Sequence, residues 1–349
     1  MTASGVFTII IAILVFEYLL EQFLSWLNRS HWTNELPEEL KDVYDAETYK
    51  KSQDYKKENE RLGIITSTFS FVLIMCMFFF QGFALVDAWS RGITSIDMLV
   101  SLIFFGIIFL ASDVLSTPFS VYDTFVIEEK YGFNKTTPKL FITDKLKGYL
   151  LSIIIGGGLL AAFIWIYQNL GSYFWLYAWA ALTVFMIFMQ MFYSNLIVPL
   201  FNKQTPLEDG ELRTAIEEFS RKAGFNLKDI YVIDGSKRSA KANAYFSGLG
   251  SKKRIVLYDT LIKQMTTDEI VAVLAHEIGH YKKKHTLQHI LLSVIQNGLT
   301  LYILSLLINN TVFAQAVGVD KPALHIGIVR FAVLYTPISL ILGLAMNVL

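Results

Sequence analysis

Charge is scarce in this chain. Only 17% of its 349 residues are Asp, Glu, Lys or Arg, where a soluble protein carries about a quarter. The 30 basic residues are matched by 30 acidic ones, so no bulk electrostatic attraction draws the chain to nucleic acid. Cysteine is scarcer still. The single Cys76 excludes an intramolecular disulfide, and its place in an apolar run says nothing of compartment. The first apolar stretch also lacks the marks of a cleavable leader: it has no basic residues ahead of it, is too long for a signal core, and ends without a small-x-small site. The chain has no internal repeat and no low-complexity segment.

What is present in quantity is apolar surface. Hydrophobic residues make up 54% of the chain and aromatics 14%, with a mean hydropathy of +0.45. They gather in runs of about 20 residues or more, the length that crosses a bilayer. Seven spans are predicted, at residues 6–27, 64–86, 98–119, 146–170, 173–200, 286–308 and 324–348. The intervening stretches alternate in basic content. Residues 28–63 hold Arg29, Lys41, Lys50, Lys51, Lys56, Lys57 and Arg61, whereas the next connection has only Arg91. The third holds Lys130, Lys135, Lys139 and Lys145, and the fourth has no Lys or Arg. By the positive-inside rule this alternation predicts an external N-terminus and a cytoplasmic first loop. Carried forward, it makes the long insertion 201–285 cytoplasmic and the connection 309–323, with Lys321 its one basic residue, external.

The predicted fold class is a mainly α polytopic membrane protein with a small α+β cytoplasmic insertion. Three segments are expected: helices one to five with their loops (1–200), a soluble insertion (201–285) and helices six and seven (286–349). Within the spans lie Glu17, Glu21, Asp113 and Arg330. Charge facing lipid is costly, so such groups snorkel at a helix end or face a cavity. Glu21 reads as snorkelling, Glu17 as either, and Asp113 and Arg330 as cavity-lining.

The insertion carries the chemistry. Residues 211–223 have the amphipathic spacing of a helix, with Leu212, Ala215, Ile216 and Phe219 on one side. Residues 229–234 and 254–258 read as strands, and 242–246 as an edge-like third strand before a Gly248-Leu249-Gly250 turn. Then comes His276-Glu277-Ile278-Gly279-His280, an H-E-x-x-H motif. A helix is predicted here because Thr266 and Glu269 form a capping box and Ile270, Val273, Leu274 and Ile278 repeat with helical period. Histidines four apart share a helix face, so His276 and His280 can converge on one Zn²⁺, with Glu277 beside it as general base. The competing reading is an amphipathic helix with two surface histidines. Gly279, a poor helix former, predicts close packing at that turn. His285 stands nine residues from His276, and His289 nine from His280. If the helix runs on into the sixth span, each pair lies half a turn apart, so both read as interfacial or packing residues. His31 and His325 have no metal-ligand spacing.

With these residues in hand, the chain resembles the type I CAAX prenyl endopeptidases, integral-membrane zinc metalloproteases. The resemblance runs through Lys51-Ser52-Gln53-Asp54-Tyr55, Glu129-Lys130-Tyr131-Gly132-Phe133-Asn134-Lys135-Thr136, Pro199-Leu200-Phe201-Asn202-Lys203, Asn243-Ala244-Tyr245 and the zinc motif. It implies seven helices around a water-filled chamber, one zinc ion held by His276 and His280, and Glu277 as the catalytic base. It implies that Asn243, Ala244 and Tyr245 form an edge strand that pairs with an extended substrate. The substrate would be a prenylated C-terminal peptide, or peptides and membrane proteins in general, and the membrane that of the endoplasmic reticulum or the bacterial inner membrane. The family's third zinc ligand is a glutamate of an E-x-x-A-D motif after the seventh span. After Glu277 the only acidic residue here is Asp320, so the chain is expected to be truncated before that ligand. A catalytically inactive scaffold is the alternative to an enzyme. A transporter is the weakest reading, because it gives no role to H-E-x-x-H.

Overall fold

The computed structural model describes residues 2–42, 44–225, 227, 229–247, 254–308, 311–319 and 323–348. The expected Gly248-Leu249-Gly250 turn, Asp320 and Lys321 lie outside them. In chain order the helices are α1 (Ala3–Ser30), α2 (Ala46–Phe79), α3 (Gly82–Ile93), α4 (Asp97–Tyr122), α5 (Pro138–Leu151), α6 (Gly158–Asn169), α7 (Phe174–Leu196), α8 (Val198–Phe201), α9 (Glu211–Lys222), α10 (Asp259–Gln264), α11 (Thr267–Lys282), α12 (His285–Leu307), α13 (Thr311–Ala316) and α14 (Leu324–Val348). Wider helical turns extend α4 to Glu128 and join α5 to α6. Among the described residues seven helices are long and apolar enough to cross a membrane. The protein is a multi-pass membrane protein.

The boundaries differ from expectation in one instructive place. Hydropathy carries the second span through residue 86, but α2 ends at Phe79 and Gln81 takes a left-handed backbone, φ 54°, before α3 begins. A side chain in that region is sterically costly, and Gly82 directly follows it. At its other end α2 reaches well into polar sequence. The Asp45 carboxylate accepts the Thr48 N–H at 2.8 Å and starts the helix there.

Contacts divide the chain into two compact units. The first holds residues 1–131, 159–174 and 302–349. Its core is aromatic and aliphatic: Ile10, Phe78, Phe83, Phe104, Phe313 and Ile326 are buried together, with α1 packed on α13 and α14 and α3 on α4. A hydrogen-bonded polar cluster lies beside it. His325, 1% exposed, bonds the Asp87 carboxylate through Nε2 at 2.7 Å and Ser101 Oγ through Nδ1 at 3.0 Å. A carboxylate only accepts, so Nε2 donates to Asp87, while the Ser101 hydroxyl also donates to the Asp97 carbonyl at 3.1 Å. Arg91 donates through Nε to both Asp87 oxygens, at 3.1 and 3.0 Å. Asp113 lines a cavity of about 640 Å³ with Phe105, Ser112, Ser116, Leu160 and Ile328, as its position in a span predicts. Arg330 is buried, its guanidinium 5.7 Å from the Phe313 ring centre.

The second unit holds residues 132–158 and 175–301. A four-stranded sheet runs in the order β1 (Gln204–Pro206), β2 (Asp229–Ile233), β4 (Arg254–Tyr258) and β3 (Ala244–Ser247). β2 and β4 are parallel, while β1 and β3 pair antiparallel at the two edges. Short β1, which ends in Pro206, has no alternating pattern to betray it, and the sequence reading misses it. Ile216 of α9, Ile230 of β2, Ile255 and Leu257 of β4, and Ile270 and Leu274 of α11 form one core. Arg238 binds the unit's loops together. It donates to both Asp144 oxygens, at 2.7 and 2.9 Å, and to the Phe201 carbonyl at 2.8 Å.

Candidate metal and peptide site

The site begins with the cap of α11. Thr266 N–H and Oγ–H both donate to Glu269 Oε2, at 2.8 and 2.9 Å, and Glu269 N–H returns a longer bond to Thr266 Oγ1 at 3.4 Å. These bonds hold the Glu269 carboxyl below the usual carboxylate range. The next constraint is the buried stripe. Ile270, Leu274 and Ile278 are 1%, 1% and 2% exposed, four residues apart, and Ile270 and Leu274 join the sheet core. At about 100° per residue, a residue two positions on from each turns roughly 200° away. His276 and His280 are those residues. Core packing alone therefore puts both imidazoles on the open face of α11, where they are exposed, with Glu277 half-buried beside them.

Their geometry suits a shared ion. His276 Nε2 and His280 Nε2 stand 3.0 Å apart. Two nitrogens about 2.0–2.1 Å from a tetrahedral ion would be separated by about 3.3 Å, so a small adjustment admits the metal. Among the described residues no third His, Cys, Asp or Glu joins them in a metal-sized cluster.

Two expectations about this helix need correction. Gly279 was expected to mark a close approach, yet a Cβ built there meets nothing within 4 Å. The placing of His285 and His289 away from the motif holds only if the helix runs on into the sixth span. The helix stops at Lys282, Lys284 adopts φ 58°, and α12 starts afresh at His285. That break swings His285 back, bringing its Nδ1 within 2.8 Å of His280 Nδ1. Sequence reasoning set His285 apart from the motif because three lysines in a row carry no signal for a break.

The edge strand lies beside the same helix. β3 packs against α11, and its Ala244, Tyr245 and Phe246 pair with Leu257, Val256 and Ile255 of β4. Asn243 stands just ahead of the strand, exposed. Its carbonyl accepts the Tyr258 N–H at 3.0 Å, and its side-chain oxygen accepts the Ala244 N–H at 2.8 Å. Tyr245 is half-buried, its hydroxyl 3.4 Å from Ser194 Oγ. Burial pushes its phenol up, only partly offset by the Ser194 bond. Thus α11 brings His276, Glu277 and His280 together, and the sheet sets the 243–245 segment alongside their helix.

Comparison with known proteins covers nearly the whole chain. Residues 26–203 match the family described as CAAX prenyl protease N-terminal, five membrane helices, and residues 206–347 match peptidase family M48. The chain is 36% identical to the probable CAAX prenyl protease 1 of Schizosaccharomyces pombe, over 89% of this chain and 69% of that protein. It is 36% identical to the CAAX prenyl protease 1 homolog of Dictyostelium discoideum, over 98% of this chain and 83% of that one. The crystal structure of S. mikatae Ste24p superposes with a TM-score of 0.91 at 34% identity, covering 98% of this chain and 85% of that one. An H-E-x-x-H helix on a small sheet, joined to seven apolar helices, is here the metallopeptidase of a membrane-embedded enzyme: the chain belongs to peptidase family M48, as a metalloendopeptidase of the CAAX prenyl protease type.

Proposed function

We propose that His276 and His280 hold one Zn²⁺, that Glu277 is the general base, and that Asn243, Ala244 and Tyr245 receive the substrate backbone. The observation that carries this is the 3.0 Å approach of two Nε2 atoms on the one open face of α11, with Glu277 next to them. When bound, zinc would supply Lewis acidity, polarising the scissile carbonyl and making the attacking water more acidic. Glu277 takes the proton from that water and delivers it to the departing amine. Among the described residues β3 is an edge strand, and its outer side offers main-chain groups to an extended peptide, so holding does not depend on side-chain identity. The substrate class is a prenylated peptide with a C-terminal CAAX sequence, in keeping with the names of the relatives. The soluble residues 201–285 form the catalytic insertion, facing the cytoplasm from the endoplasmic reticulum membrane, where prenylated tails are presented. The basic residues of 28–63 and 130–145 favour that orientation.

Zinc content by mass spectrometry beside cleavage of a farnesylated CAAX peptide tests the proposal. Glu277→Gln is expected to keep the metal and lose turnover. Unchanged cleavage in that variant would remove Glu277 from the reaction.

A further inference from the structure

His285 lies outside the H-E-x-x-H motif, and a continuous helix would turn it about 140° from His280, five residues earlier. The chain does not allow that. Lys284 enters the left-handed region at φ 58°, a conformation that side-chain-bearing residues rarely adopt. The two-residue connection it makes returns the first residue of α12 to the end of α11. His285 is half-buried there, its ring centre 4.9 Å from that of His280 at an interplanar angle of 70°, with the two Nδ1 atoms 2.8 Å apart.

The two nitrogens of His280 thus face different partners. Nε2 faces His276 Nε2 at 3.0 Å and Nδ1 faces His285. An imidazole that gives Nε2 to a metal carries its proton on Nδ1, and that N–H needs an acceptor to fix the ring. We propose that His285 is a positioning residue: its Nδ1 accepts the His280 Nδ1–H, which sets the tautomer of His280 and aims its Nε2 at the ion. This requires the neutral His285 tautomer protonated at Nε2. His285 is not itself a ligand, because it meets the edge of the His280 ring that points away from His276. The inference rests on the zinc reading above.

The test is zinc affinity of the full chain in detergent, measured by competition with a chromogenic zinc chelator. The variants are His285→Ala, His285→Leu, His285→Asn and, as reference, His276→Ala. Loss of such an outer hydrogen bond weakens metal binding by about 10–100-fold, and that weakening is expected for Ala and Leu. Asn, whose side-chain carbonyl can accept the same N–H, is expected to recover most of it. Far-UV circular dichroism identifies variants that have lost the fold, and the Leu–Asn pair keeps the comparison valid if Ala is among them. Equal affinity in Leu, Asn and the parent would overturn the proposal, as would equal weakening in Leu and Asn. If His276→Ala binds zinc as well as the parent, the zinc reading itself falls. If His276→Ala loses zinc while His285→Leu holds it fully, only the positioning role falls.

Discussion

Two histidine clusters stand in this chain, built from similar hydrogen bonds and put to different ends. In the first unit His325 sits 1% exposed between Asp87 and Ser101. Both ring nitrogens are occupied, and the Asp87 charge is shared with Arg91. In the second unit His276 and His280 stand exposed on α11, their Nε2 atoms turned towards each other. A carboxylate and a hydroxyl complete the first cluster, so it bridges α3, α4 and α14 and leaves no nitrogen for a ligand. The second turns two nitrogens towards the same point in space, 3.0 Å apart. Burial and partner chemistry, rather than histidine content, separate a structural clamp from the proposed metal site.

Substitutions can break that contrast. The largest expected effect is on catalysis: Glu277→Gln should lower peptide cleavage by about 10²–10⁴-fold, with zinc content unchanged by mass spectrometry. His276→Ala or His280→Ala should remove the metal along with activity. His325→Gln should leave zinc content as it is, and a loss of metal there would erase the distinction between the clusters. The cost of His325→Leu should instead appear in stability. It strips Asp87 and Ser101 of a buried partner and should cost about 1–3 kcal/mol, read from thermal unfolding in detergent.

Smaller effects sharpen the picture of α11. Gly279 has open space where a Cβ would go, so Gly279→Ala should stabilise the helix by up to about 1 kcal/mol without changing zinc affinity. A fall in affinity would show that the site needs the glycine after all. The cap supplies a pH dependence. Glu269 is held below its ordinary range by bonds from Thr266. Asp259 is held low as well: burial raises it, but donation from Ser236 and the charge of Lys263 outweigh that. A carboxyl lowered on folding adds stability above its unfolded pKa and forfeits it as pH falls through the folded one. The soluble elements should therefore loosen below about pH 4. Glu269→Gln should flatten that acid limb in hydrogen exchange of α11, and an unchanged limb would assign it to other groups.

Much of this was legible because one physical effect dominated locally. Seven apolar runs announce seven spans, since only length and hydropathy are needed to cross lipid. The α11 cap and its stripe of Ile270, Leu274 and Ile278 are local in sequence, and with them comes the face on which His276 and His280 stand. The 229–234 and 254–258 segments read as strands from β-branched runs, but their parallel pairing joins residues far apart and has no local sign. Gln81 and Lys284 are both left-handed without being glycine; the first breaks an apolar run that hydropathy reads as one span, and the second separates α11 from α12 within a run of lysines. His325 finds Asp87 and Ser101 from more than 200 residues away, which no spacing rule could anticipate. His285 was set aside by an argument that held only for an unbroken helix.

The central claim is that His276 and His280 together hold zinc. The direct measurement is the zinc dissociation constant of this chain beside those of His276→Ala and His325→Gln, by chelator competition under one set of conditions. The account predicts binding by the parent, the same binding by His325→Gln, and its loss in His276→Ala. Zinc held equally by all three, or by none, would contradict it.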